Sequence, residues 1–324
     1  MQEADTVKMS SIEHMVKIGI VGAGMVGSAS AYALALRGPA QEIVLVDQNN
    51  ELAVAQAEDI DHAIPFFSSI RIRAGTYEDL EGAAIIVIAA GVSQKPGETR
   101  IELLERNLAV FRHVISRIMT VAPDAILLIA TNPVDIMTDF TTRLSGLPAS
   151  KVIGTGTMLD TARFRTLLAH HLQISPQGIH AHVLGEHGDS EVLAWSSVRI
   201  GGLPLEVVAA SLERPLDVQA RQSIDTAVRN AAYHIIRGKG ATYFGIGGAL
   251  QRLIEAILRD ENAILTVTSL TPAIAGVASV TASIPRVIGR TGIVHDLPPN
   301  LDEAETRLLY KSTTLLKSLT ESID

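Results

Sequence analysis

The chain contains no cysteine. That excludes a disulfide frame, a thiolate nucleophile and a cysteine-ligated metal. Aromatic side chains are scarce at 4%, although hydrophobic residues reach 47%. An interior built from Ala, Val, Ile and Leu fits helices packed on a parallel sheet. Positive charge is also short: the net charge of -8 at pH 7 lacks the basic surface that nucleic acid needs. A local basic pocket for an anionic metabolite remains compatible with it. No apolar run approaches the ~20 residues of a membrane-spanning helix. Met1 to His14 are polar and lack the apolar stretch of a signal peptide. The expectation is a cytoplasmic protein with no metal site and with neither nucleic acid nor membrane as partner.

The 324 residues suffice for two domains. Four apolar runs stand out in the first half: Val16 to Val21, Ile43 to Val46, Ala83 to Ala90 and Ala125 to Ala130. They are nearly continuous rather than alternating, as in strands buried on both faces. Helix-like text separates them at Met25 to Arg37, Leu52 to Ala63 and Ile101 to Val121. This alternation predicts an α/β chain with a doubly wound parallel sheet of the Rossmann type. Gly and Pro in RLSGLPAS, Arg143 to Ser150, mark a boundary. The expected units are a polar extension over 1–15, a dinucleotide-binding domain over 16–148 and an α+β substrate domain over 149–324. In the second half, helices are expected at Met158 to Leu172, Gln219 to Arg237, Thr242 to Arg259 and Leu301 to Leu319. Strands are expected at Ile179 to Leu184, Ala194 to Ile200, Ala263 to Ser269 and Gly276 to Pro285.

Gly22, Gly24 and Gly27 form G-x-G-x-x-G after an apolar strand and at the opening of a helix. Asp47 ends the next apolar run, 20 residues beyond Gly27. This is a dinucleotide fingerprint. Gly22 allows the tight turn, Gly24 lets backbone approach a pyrophosphate, and Gly27 permits close helix packing. The helix N-terminus offers unpaired N–H groups to the phosphates. Asp47 would bind ribose hydroxyls and repel a 2′-phosphate, so NAD is expected over NADP.

Polar clusters follow the third and fourth apolar runs: GVSQKPGETR, Gly91 to Arg100, and TNPVD, Thr131 to Asp135. Ligands of open parallel sheets bind beyond such strand ends. LDTARFR, Leu159 to Arg165, and GEHGDS, Gly185 to Ser190, carry further polar side chains. With KGATYFG, these motifs occur in the order and approximate spacing of the lactate/malate dehydrogenase family, which the chain resembles beyond its first fifteen residues. The resemblance implies reversible NAD-dependent reduction of a 2-keto acid, pyruvate, to L-lactate. His187 is then the acid/base, a role that suits imidazole near neutrality. Taken singly, a histidine is more often structural. Asp160 would orient His187, though an aspartate there also reads as a helix N-cap. Arg163 lies three residues on, on the same helical face. It would hold the substrate carboxylate in a bidentate pair rather than being a solvated surface arginine. Arg100 would polarise the reacting carbonyl, and the resemblance makes Val92 to Glu102 a loop that closes over substrate. Asn132 would contact substrate or nicotinamide, and Thr242 the substrate's side group. Val26, Tyr77, Gly91 and Thr131 complete the expected cofactor contacts.

Gln94 separates two substrates. Malate-type members carry arginine at the matching place, to pair with a second carboxylate. A neutral Gln94 would leave that carboxylate unpaired in a closed pocket, which is costly; a methyl group incurs no such cost. Malate-type activity or a broader 2-keto-acid reductase is the alternative within the class. A non-catalytic NAD-binding regulator is the alternative outside it. The resemblance also implies a homotetramer built as a pair of dimers. Finally, Arg165 stands about 200° around the helix from Arg163, and His180 precedes His187 by an odd interval. Bacterial members activated by fructose 1,6-bisphosphate carry Arg and His at the places matching Arg165 and His180. The same two residues also read as ordinary surface cations.

Overall fold

The computed structural model of the chain describes residues 16–38, 40–92 and 100–323, with Arg100 and Ile101 as backbone only. The first half alternates strands with helices. In order they are β1 Lys17–Val21, α1 Met25–Arg37, β2 Glu42–Val46, α2 Asn50–Ala63, β3 Arg71–Ala74 and β4 Ile85–Ile88, then α3 Arg100–Val121, β5 Ile126–Ile129, α4 Val134–Ser145 and β6 Val152–Gly154. The second half opens on α5 Met158–Leu172, followed by the short strands β7 Ile179–His180, β8 Val183–Leu184, β9 Val192–Leu193, β10 Arg199–Ile200 and β11 Leu203–Pro204. Then come α6 Leu205–Ser211, α7 Val218–Lys239, α8 Phe244–Leu258, β12 Ala263–Ile274, β13 Val277–Gly289, β14 Gly292–Asp296 and α9 Glu303–Glu321.

One sheet runs through both halves, in the order β14-β13-β12-β6-β5-β4-β1-β2-β3. The six strands from β6 to β3 are parallel, and β12 joins β6 antiparallel. The order reverses between β1 and β4, where a crevice forms at the carboxyl edge of a doubly wound sheet. β1, β2, β4 and β5 are almost wholly buried. Helices cover both sheet faces, and that is why these strands read as unbroken apolar runs. The two faces carry separate cores. Leu34, Leu45 and Leu250 belong to one, and Phe111, Ile118 and Met137 to the other.

The expected boundary at 148/149 falls just before β6, which completes the parallel sheet. Two expected strands are corrected. Ile179 to Leu184 breaks into β7 and β8, which pair in different sheets. Ala194 to Ile200 is a 3-10 turn over Trp195–Ser197 followed by the short β10. That turn leaves the Ser196 N–H and hydroxyl pointing at Glu305, which accepts both.

Candidate active site

Three elements meet around His187. The first is α5, which leaves β6 through Gly156 and Thr157. Asp160 and Arg163 lie one turn inside it. The second is the loop after β8, which carries Glu186 and His187. Gly185 anchors this loop to β13: its N–H donates to Ser283 O and its carbonyl accepts from Ser283 N, both at 2.9 Å. Glu186 N–H donates to Ser312 Oγ of α9 at 2.9 Å. The third element is the N-terminus of α4, where Asp135 Oδ2 accepts the His187 N–H at 2.7 Å.

His187 Nδ1 lies 2.5 Å from Asp160 Oδ2, while Arg163 Nη1 donates to Asp160 Oδ1 at 2.7 Å. Asp160 is 2% exposed, so both its oxygens are committed to cations in a dry setting. Such charge-assisted bonds are the strong ones. Burial alone would pull the imidazole down. The bond to Asp160, with the charges of Asp160, Asp135 and Glu191, overrides it and lifts His187 to about 9. Burial likewise acts to raise Asp160, but His187 and Arg163 hold it below the ordinary carboxylate value. Asp135 is fully buried, and desolvation lifts it to about 6 against the bond from the His187 N–H. The arrangement therefore keeps a protonated imidazole through neutral pH, with Nε2 left as the ring nitrogen not spent on Asp160.

The second part of the site is a cleft of about 740 Å³ at the carboxyl ends of β1, β2 and β4. Gly22, Asp47, Tyr77, Gly91, His113 and Arg117 are among its walls. Gly22 has φ +103°, and a Cβ there would sit 2.5 Å from Ala90 N. A Cβ on Gly27 would lie 1.8 Å from Gly22 O, so α1 packs directly on the turn. A Cβ on Gly24 would meet nothing within 4 Å. That open space beside the first turn of α1 suits a pyrophosphate on the helix N-terminus. Val26 is the second residue of α1. Asp47 braces the turn as well, with Oδ2 accepting Ala23 N–H at 2.7 Å and Oδ1 accepting Asn49 N–H at 2.9 Å. Each oxygen retains a lone pair for a ribose hydroxyl. The residues present thus fit a dinucleotide. Tyr77 stands under the Arg117 guanidinium, 5.0 Å from its ring, and edge-on to His113.

Thr131 ties β5 to β4 by donating to Ala90 O at 2.7 Å, and the adjacent Asn132 is exposed. Thr242 is half-buried in the link between α7 and α8 and takes no part in the hydrogen-bonded set. Gln94 lies outside the described residues, as does the Arg100 side chain; Arg100 opens α3. The loop over Val92 to Glu102 is described only at Val92 and from Arg100 onward. Three participants lay unassigned in the quoted motifs or beyond them: Asp135, Glu191 and Ser312. An aspartate in the first turn of a helix reads as ordinary dipole pairing, and only burial separates Asp135 from that use. Among the described residues, no group of His, Asp or Glu could hold a metal ion, and no helix is long and apolar enough to cross a membrane.

Comparison with known proteins places this geometry. Residues 16–154 match the family model for the lactate/malate dehydrogenase NAD binding domain, and residues 157–324 match its alpha/beta C-terminal domain. The L-lactate dehydrogenase of Allorhizobium ampelinum is 59% identical over 95% of this chain and 99% of its own length. That of Thermus aquaticus is 54% identical with the same coverage. The minor L-lactate dehydrogenase of Enterococcus mundtii, in its ligands-bound form, superposes with a TM-score of 0.92 at 37% identity. That match covers 96% of this chain and 99% of the solved chain.

The Asp160 pairing has a checkable consequence. Asp160→Asn removes the charge while leaving the ring buried, so His187 should fall by about two units or more. A histidine raised in the folded state stabilises the fold below about pH 6.5 and loses that contribution as the pH rises through about 9. The substitution should flatten this alkaline loss. The His187 Cε1–H resonance followed over pH, together with urea unfolding at pH 6 and pH 9, measures both. An imidazole still titrating near 9 in the variant contradicts the assignment.

Proposed function

The chain belongs to the lactate/malate dehydrogenase family, and on that premise we propose that it is an L-lactate dehydrogenase, reducing pyruvate with NADH through His187. The observation that carries the reading is the Asp160 pairing. One buried carboxylate holds the His187 imidazole in its acid form and keeps Arg163 beside it. Arg163 grips the substrate carboxylate, and its 14% side-chain exposure leaves an accessible face. His187 faces the substrate carbonyl, and Arg100 is assigned the stabilisation of charge developing on its oxygen. NADH, when bound, supplies the hydride. His187 supplies the proton and recovers it in the reverse direction. Asn132 contacts substrate or nicotinamide, and Thr242 faces the substrate's side group. Gly22, Gly24, Val26, Gly27, Asp47, Tyr77, Gly91 and Thr131 hold the cofactor. The domain division over 16–148 and 149–324 is part of the same reading, as is a cytoplasmic setting.

Loss of NADH absorbance with pyruvate, compared with oxaloacetate, tests the activity directly. His187→Asn should cut turnover by roughly 10²-fold or more, the scale of positioned acid–base catalysis, while NADH still binds. Near-normal turnover removes His187 from the mechanism, and faster turnover of oxaloacetate than pyruvate overturns the substrate.

Substrate choice is assigned to Gln94. Gln94→Arg supplies a charge partner for a second carboxylate and should move the kcat/KM ratio toward oxaloacetate roughly 10-fold or more. An unchanged ratio places the determinant elsewhere.

The proposal extends to regulation by fructose 1,6-bisphosphate at Arg165 and His180, in a homotetramer. Arg165 Nε donates to Ala181 O at 3.0 Å, away from the Arg163 pairing. Its burial pulls the guanidinium below its ordinary value. His180 is exposed on β7. His182 between them is driven down to about 4, first by burial and then by the charges of Arg165 and His180. Arg165 and His180 thus act on the same imidazole and hold it neutral, and a bisphosphate would relieve the repulsion between the two. The activator should lower the pyruvate concentration for half-maximal rate, most strongly at mildly acidic pH, and Arg165→Gln should abolish the effect. Superimposable native curves with and without millimolar bisphosphate defeat the regulatory reading; a sedimentation coefficient of a monomer defeats the tetramer.

A further inference from the structure

We propose that Glu191 is a positioning residue that holds a proton while the keto acid is bound and, once ionised, sets a second anion against the substrate carboxylate. The inference rests on the keto-acid reading above, through Arg163. Glu191 ends the loop that carries His187, with its N–H donating to Gly188 O at 3.1 Å. It is 4% exposed, and its Oε1 is buried with no hydrogen-bond partner among the described residues. Four charged groups act on it. Asp160 and Arg163 come from α5, His187 from the same loop and Arg229 from α7. Asp135 of α4 acts on His187 in turn.

The cations nearby are already engaged. His187 and Arg163 bond to Asp160 at 2.5 and 2.7 Å. Arg229 Nε lies 2.6 Å from Asp225 Oδ1, and its Nη1 donates to Asp189 O at 2.9 Å. An ionised Glu191 would therefore be a buried charge without a direct partner among the described residues, a costly state. Burial, followed by the Asp160 carboxylate, lifts its acid to about 8, against Arg229, His187 and Arg163. A neutral Glu191 leaves a simple balance. His187 and Arg163 then balance Asp160 and Asp135, the latter ionised above about pH 6, so no surplus anion opposes the incoming carboxylate. When Glu191 loses its proton to solvent, an extra negative charge stands in a low-dielectric site where salt screens poorly. Substrate binding and Glu191 protonation must then favour each other equally.

The test uses the NADH-saturated enzyme and oxamate, an unreactive isostere of pyruvate. Oxamate affinity is followed by NADH fluorescence from pH 6.5 to 9, and proton uptake by an indicator in weak buffer. The parent should take up about half a proton at pH 8 and almost none at pH 6.5, with affinity falling several-fold between pH 7 and 9. Glu191→Gln should reduce the uptake at pH 8 to about a tenth of a proton, the residue left by His187, and move the fall in affinity up by about one unit. Glu191→Asp should retain the parent's uptake. Parent-like uptake in Glu191→Gln overturns the proposal, as does a parent with no uptake until pH 9; the parent measurement stands even if the variants do not fold. Oxamate that binds at no pH overturns the keto-acid reading and this inference with it, whereas binding without proton uptake overturns the inference alone.

Discussion

The hydrogen bond between His187 Nδ1 and Asp160 Oδ2 makes demands on the whole second half of the chain. Its partners are 27 residues apart and sit on elements that would drift without external fixing. One is a loop and the other the first turn of a helix. Both are tied to β12 and β13. Ser283 of β13 bonds Gly185 on one side and, through Oγ, accepts Thr157 N–H at 3.1 Å on the other. Thr157 Oγ1 reaches Val183 O, and Thr161 Oγ1 accepts Val183 N–H while contacting Thr266 of β12. A short charge-assisted bond tolerates little displacement, so the geometry of the His187–Asp160 pair is a property of the two interior strands that both elements share. The continuation of one sheet across both halves supplies those common strands and ties the imidazole to the sheet that forms the cofactor cleft.

The electrostatics follow from the same packing. Dry carboxyl groups ordinarily give up their charge. Asp160 retains its charge because two cations bond it directly. Asp135, lacking a cation in contact, is lifted to about 6. Glu191 is lifted further, to about 8. One small region therefore holds three carboxyls spread over a wide range by nothing more than who touches whom. The alternative, three ionised groups around one imidazole, would be self-repelling.

Much of this was legible from the residues alone, and the exceptions have physical causes. α1 and α5 match their expected spans because glycine or a polar turn precedes each and their C-caps are left-handed. β3, with the text RIRA, escaped because two arginines on an edge strand break the apolar run. α4 escaped for the opposite reason: it is buried nearly all round, including Asp135, Thr138, Asp139 and Thr141. Its Asp and Thr side chains read as loop text, since such residues bond to nearby backbone in turns, although here they lie inside a helix. Thr138 and Thr141 donate to carbonyls one turn back and Thr281 Oγ1 of β13 donates to Asp139 at 2.7 Å, whereas Asp135 Oδ1 has no partner among the described residues. The glycine fingerprint and Asp47 were readable because a tight turn admits few residue types. The second use of Asp47, bracing Ala23 N–H, was not, since a ribose ligand and a loop brace call for the same side chain. Glu191 directly follows the motif that carries His187, yet its text is that of any solvated glutamate; only burial distinguishes it.

α5 shows how one helix keeps chemistry and surface apart. Asp160 and Arg163 occupy one face and build the site. Arg165, two residues on, is turned by about 200° and is held by Ala181 O between the two short strands that replace the expected single one. The break at Ala181 and His182 is what permits this. A continuous strand from Ile179 to Leu184 would have kept both halves in one sheet. Splitting it pairs β8 with β9 beneath the catalytic loop and β7 with β10 at the exposed face where His180 lies. Two bonded routes lead from that face to the site, one along α5 and one along the two-residue link 181–182. Both routes end on groups that bond across it: Thr161 to Val183, and Asp160 to His187. The bonded path from Arg165 to His187 is therefore only a few residues long, through α5 and across the strand break.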